Sequence, residues 1–285
     1  MRPLYLLIIF LLAIAFISFN KFTRSAERTA EVMGTTLRVK ILDEDAEPFV
    51  KEAISEIKRL DKLFSRFDEG SEVSRINSAA GKAPVRVSSD TYKVIEMAVK
   101  VSRLSRGAFD IALGHSQDLK LDKSSSRVYL REAGEKVDLG GIGKGYAVES
   151  ARWLLLKQGV KSAIIDMHSS IAVIGNNWRI GIQDPRNQGK ILGVVILNDG
   201  DALSTSAQYE QPGHILDPRT GKAADKCLSV TVVARDAGLA DALSTAVFVL
   251  GPADGMKLIK SLKNVKVIIV DTKEIIYDNF GFKLR

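Results

Sequence analysis

Three groups of residues combine side chains and spacings that suit chemistry. In ADALSTA, residues 240–246, Asp241 and Thr245 stand one helical turn apart, so an acid and an alcohol share a face. With a backbone carbonyl, that pair suits a hard, oxygen-seeking cation such as Mg²⁺. An aspartate that merely caps a helix start leaves the same pattern. In VDLGGIGKGYAVES, residues 137–150, Gly140, Gly141, Gly143 and Gly145 surround Lys144. Glycines at this density permit φ > 0 and close approach of the backbone to a ligand. The N–H groups at the start of the helix that follows would draw an anion such as phosphate. Finally, His214 lies in a polar loop with Asp217, where an imidazole suits proton transfer near neutral pH. His115 and His168 suit surface or core positions equally well.

Two generic readings of the glycine loop fail on spacing. A P-loop needs glycine where Asp138 stands and Ser or Thr where Gly145 stands. The dinucleotide fingerprint, started at Gly141 and Gly143, needs glycine where Tyr146 stands; Asp166, at a strand end further on, is all that this reading retains. A turn that only reverses the chain has no use for so many glycines around a lysine.

The elements that must position these residues follow from periodicity. Thr35 to Leu42 alternates as a strand, with Leu37, Val39 and Ile41 on one side. Pro48 opens a helix whose inner face is Ala53, Ile57, Leu60 and Phe64. The segment from Phe64 to Asn77 has no clean period and is expected to be a loop that presents side chains. Ser88 or Ser89 caps a helix ending at Gly107. Val137 and Leu139 predict a short strand into the glycine loop, and Ala147, Ala151, Leu154 and Leu155 a helix after it. Strands are expected at 162–167, 171–174, 178–183, 191–197, 202–206, 228–233 and 265–270, with helices near 239–250 and 256–262. Without a strict βαβα order, the fold class is α+β.

A formal charge of +7 favours anionic partners, but aromatic residues make up only 7% and no arginine-rich run is present, which argues against nucleic acid. The single cysteine, Cys227, excludes an intrachain disulfide and reads as a small core residue. Pro3 to Phe19 is uncharged and follows Arg2. It exceeds the roughly 7–15 residues of a signal-peptide core and approaches the shortest spanning helix. No small-x-small cleavage site follows it. The expectation is an uncleaved signal anchor over residues 1–30, ahead of a body over 31–285. The expected location is the cytoplasmic membrane with the body on the periplasmic side, although Lys21, Arg24 and Arg28 outnumber Arg2 and favour the opposite orientation.

Seven motifs occur together: MGT (33–35), FSRFDEGSEVSRIN (64–77), GAFD (107–110), VDLGGIGKGYAVE (137–149), STS (204–206), HILDPRTG (214–221) and ADALSTA (240–246). In this order they resemble the FAD:protein FMN transferases, the ApbE-type flavin transferases, from Met33 to about Val270. The resemblance implies two interlocked α+β halves with mixed sheets and the active site between them. It implies Mg²⁺-dependent transfer of FMN from FAD to a Thr or Ser hydroxyl of a redox protein, with AMP released. It further implies Asp241, Thr245 and the Gly143 carbonyl as metal ligands. Phe67, Gly141, Gly143, Lys144, Ser204, Thr205, Ser206 and His214 would bind FAD, and His214, Asp217 and Lys144 would be catalytic. Three departures stand out: His168-Ser169-Ser170 where the family has a glycine pair, ALGHSQD after GAFD in place of a proline and an aromatic glycine loop, and Ala207 after STS in place of glycine. They leave open an FAD pyrophosphatase or an inactive flavin-binding scaffold.

Overall fold

A computed structural model describes residues 25–187, 189–208 and 213–284. The chain opens with the hairpin β1 (Ala26–Val32) and β2 (Thr35–Ile41), then helices α1 (Ala46–Phe64) and α2 (Glu72–Ser78). Strand β3 (Val85–Arg86), helix α3 (Ser89–Leu104) and strands β4 (Leu119–Asp122) and β5 (Arg127–Leu130) follow. Helix α4 (Gly143–Lys157) leads to β6 (Ala163–Asp166), β7 (Ser170–Ile174), β8 (Trp178–Gln183), β9 (Ile191–Leu197) and β10 (Ala202–Ala207). The short pair β11 (Leu216–Asp217) and β12 (Lys222–Ala223) precedes β13 (Cys227–Ala234), α5 (Ala237–Leu250), α6 (Pro252–Lys260), β14 (Lys266–Asp271) and β15 (Ile276–Asp278).

One eight-stranded sheet, ordered β1-β2-β6-β7-β10-β13-β14-β15, organises the body. Four strands come from the first part of the chain and four from the second, and the halves join where β7 pairs with β10, Ser170 opposite Ser204. Both faces are covered. Ile165, Val267 and Ile269 face a core built with helices α1, α4 and α5. Their alternates Ile164, Ile268 and Val270 pack under the β8–β9 hairpin with Leu192, Val195 and Leu197. Burial on both sides explains the continuous apolar runs of the central strands. Helix α1 buries Ala46, Val50, Ala53, Ile57, Leu60 and Phe64, the 3.6-residue stripe expected of it. The fold is α+β, with helices on one face of an antiparallel sheet.

Several expectations are corrected. The two halves share one sheet whose pairings are all antiparallel, so its halves are not mixed sheets. The boundary expected after residue 30 falls inside β1, an edge strand whose mostly exposed side chains hide its alternation. Residues 72–78 of the expected loop are helix, started by Ser71, whose Oγ accepts from Ser74 N at 2.9 Å. Val137 is not in a strand: the Asn77 side chain takes the place of a strand partner, accepting from Val137 N at 2.7 Å and donating to Val137 O at 3.1 Å. The expected anchor lies outside the described residues, apart from the end of its boundary segment. Among the described residues no helix is long and apolar enough to cross a membrane.

Candidate functional site: a buried acid at the seam of the sheet

Helix α5 is capped by Asp236, whose side chain accepts from Leu239 N at 2.8 Å, and places Asp241 against the β7–β10 seam. Asp241 is 5% exposed. Its Oδ2 accepts from Gly145 N at 2.9 Å, and its Oδ1 lies 3.0 Å from Ser204 Oγ, which is itself 3.0 Å from Ser170 Oγ. Burial pushes the Asp241 carboxyl above its usual range, opposed by the charge of Lys144 and by these hydrogen bonds. One turn on, Thr245 Oγ1 lies 3.1 Å from Ser206 Oγ, which is 2.8 Å from Ser244 Oγ. Strand alternation puts Ser204 and Ser206 on this face and turns Thr205 the other way, where its hydroxyl lies 2.9 Å from that of Thr231. Thr205 is therefore not brought into the cluster.

The glycine loop wraps the same two side chains. A Cβ at Gly145 would stand 2.6 Å from Asp241 Cβ and collide with the Ala237 carbonyl, and one at Gly141 would stand 3.0 Å from Phe109 and 3.5 Å from Thr245 Oγ1. None of Gly140, Gly141, Gly143 and Gly145 has a left-handed φ. These glycines permit close packing, where the sequence pattern pointed to unusual backbone angles. At the start of α4 the amide of Gly145 donates to the Asp241 carboxylate. Gly143 is the first residue of α4 and is buried, but a Cβ there would make only ordinary contacts, 3.8 Å from Leu139 and 3.9 Å from Phe64.

Other motifs pin this assembly. Asn77 holds Val137, and Asp138 N donates to Ile111 O at 2.8 Å. Glu149, buried in α4, accepts from Ala237 N at 2.9 Å and from Arg152 Nη2 at 2.6 and 2.7 Å, tying α4 to the first turn of α5. Phe67 is 82% exposed, with the Arg66 guanidinium 4.5 Å from its ring centre; Arg66 pairs with Asp138 at 3.2 Å. Its ring thus stands free at the rim of the glycine loop. His214 is exposed on the neighbouring 213–221 loop. Asp217 is engaged by Arg219, which donates to its two oxygens at 2.8 and 2.7 Å and holds its carboxyl below the usual range. That loop rests on the GAFD region, since a Cβ at Gly114 would meet Pro218 O at 2.8 Å.

The ApbE family model matches residues 33–119 and 113–269. The chain belongs to the ApbE family. An FAD:protein FMN transferase of Klebsiella pneumoniae (strain 342) is 30% identical over 279 residues, covering 85% of this chain and 88% of that protein. One of Treponema pallidum (strain Nichols) is 27% identical over 306 residues, covering 87% and 84%. The crystal structure of the ApbE protein of Thermotoga maritima shares the fold with a TM-score of 0.82 at 28% identity, covering 90% of this chain and 97% of that one.

Of the two serines at positions where the resemblance expects glycines, Ser170 is taken into the site by its side chain, whereas the Ser169 hydroxyl is buried without a hydrogen-bond partner among the described residues. Ser170 joins the Ser204–Asp241 group, and Ser169 contributes its carbonyl, which accepts from Thr205 N at 2.8 Å. His168 takes the left-handed conformation, φ 61°, that glycine adopts without strain. A carboxylate, hydroxyls and backbone carbonyls form an oxygen-only donor set that fits a hard dication. Ser170, Glu149 and Asn77 are the contributors that sequence reasoning left out. Glu149 and Arg152, three apart on a helix, were the one signal available for any of them.

Proposed function

We infer that the chain transfers FMN from FAD to a protein. FAD is the substrate and an acceptor protein the partner. The reading is carried by one observation: Asp241 and Thr245 flank the glycine loop at Gly145 and Gly141, in a chain of the ApbE family. The finer steps are proposals. Asp241 and Thr245 would hold Mg²⁺, with the Gly143 carbonyl offering only a lone pair that its helix leaves over. Bound there, the cation would neutralise charge on the diphosphate as AMP leaves. Lys144 and the neighbouring amides would hold the same diphosphate, and Phe67 would stack on the adenine. His214 would take the proton from the attacking Thr or Ser hydroxyl. The acceptor oxygen then bonds to the FMN phosphorus as the pyrophosphate P–O bond breaks, and positioning with electrostatics supplies most of the rate. Asp217, held by Arg219, would shape the loop that carries His214. We also propose that the N-terminal segment carrying the uncharged run from Pro3 to Phe19 anchors the chain in the cytoplasmic membrane with the body on the periplasmic side.

The test is to incubate the full chain with FAD, Mg²⁺ and a candidate redox acceptor, then to follow acceptor mass and AMP. An FMN-sized gain on a Thr or Ser, with matching AMP, is expected. AMP with free FMN and no adduct identifies an FAD pyrophosphatase, and neither product removes the enzymatic reading.

A further inference from the structure

The stretch after GAFD that departs from the family pattern builds a second cluster of ligand-type side chains. His115 and Asp118 lie on it, and Glu135 faces them from the turn ahead of the glycine loop; one ligand atom from each lies within 4.8 Å of the others. The Glu135 side chain is 6% exposed, and its Oε1 accepts no hydrogen bond among the described residues although His115 Nδ1 is 3.1 Å away. Its other oxygen accepts from Glu132 N at 3.4 Å, which fixes the carboxylate with Oε1 toward the histidine. A buried carboxylate oxygen without a donor is costly and calls for an ion or water.

The loop is held in place for this. Asp110 accepts from Ala112 N at 2.7 Å and from Ser116 N and Oγ at 3.2 and 2.7 Å. His115 is half in solvent, 57% exposed, which leaves room for a water ligand. Around a tetrahedral zinc with bonds of about 2.0–2.2 Å, ligand atoms stand roughly 3.4 Å apart. The His115–Glu135 spacing is already close to that. One imidazole with two carboxylates suits zinc, whereas the all-oxygen set at Asp241 suits Mg²⁺.

We propose that His115, Asp118 and Glu135 bind a zinc-type transition-metal dication, with water in the fourth position. The ion clips the segment that enters the glycine loop to the loop on which Pro218 rests. The site is separate from Asp241 and does not depend on flavin transfer.

Zinc is titrated into the full chain in excess Mg²⁺, with stoichiometry read by calorimetry and thermal melting followed in parallel. The wild type is expected to take up one zinc per chain and to melt higher with it. His115→Ala should lose both responses while melting like the wild type in chelator, since its side chain is largely exposed. Asp118→Asn should weaken zinc at least tenfold, and Asp241→Asn should leave zinc uptake unchanged. Zinc uptake by His115→Ala and Asp118→Asn equal to the wild type would overturn the site. So would its loss in Asp241→Asn.

Discussion

Asp241 and Phe67 mark two regions beside the glycine loop that are built in opposite ways. Around Asp241 the side chains are buried and the carboxylate has defined neighbours: Gly145 N and Ser204 hold it, and Ser170 backs Ser204. Around Phe67 the surface is open, and the ring is touched on one side by Arg66 alone among the aromatic and cation–π contacts of the described residues. A cation needs ligands fixed to within fractions of an ångström, which packed helices and strands supply. A large ligand and a protein acceptor need an accessible rim. On the proposed reading, the difference is that the seam would set the chemistry and the rim would set what is admitted.

The largest expected effect breaks the seam. Asp241→Asn should lower kcat/KM for FAD by on the order of a thousandfold or more, the scale of losing a metal's charge stabilisation. Stability should move the other way. Burial raises the Asp241 carboxyl, so the folded state holds that proton where the unfolded chain, at about 3.9, releases it. The metal-free wild type therefore loses stability as pH rises from about 4 through the raised folded value, and the Asn variant should lack that decline. Melting temperature against pH, measured in chelator, checks both signs.

His214→Ala probes the rim by chemistry rather than by fold. It should cut kcat by on the order of a hundredfold or more, as removal of a general base does, with melting unchanged because the residue is exposed. An equal loss of stability would move His214 from the rim to the structural side of the comparison.

The glycines sharpen the contrast within one loop. Gly145→Ala should destabilise by about 1–3 kcal/mol through overpacking against Ala237 and Asp241. Gly143→Ala, with ordinary space around it, should melt at the same temperature or higher, since alanine is the better helix former. Denaturant unfolding of the two variants separates them. The smallest effect belongs to Phe67→Ala. Loss of a single base stack, about 1 kcal/mol, should raise KM for FAD roughly fivefold with kcat and stability unchanged.

Much of this was legible in the sequence where period and chemistry coincide. The stripe of α1, the alternation of β2 and the one-turn spacing of Asp241 and Thr245 are local signals, and each element stands where its pattern puts it. What was not legible depends on partners distant in the chain. Val137 loses its strand to a side chain 60 residues away. Gly141 and Gly145 are small because α5 packs on them, which no spacing within the loop reveals. Ser170 looks like a departure from pattern until Ser204 stands opposite it. Strand β1 was hidden because an edge strand with exposed side chains carries little apolar alternation.

The claim on which the account rests is that Asp241 seats a divalent cation for the diphosphate of FAD. Calorimetric titration of FAD into the full chain, with and without Mg²⁺, for the wild type and Asp241→Asn, tests it directly. Mg²⁺ is expected to tighten FAD binding at least tenfold in the wild type and to leave the Asn variant unaffected. Equal tightening by Mg²⁺ in both proteins would contradict it.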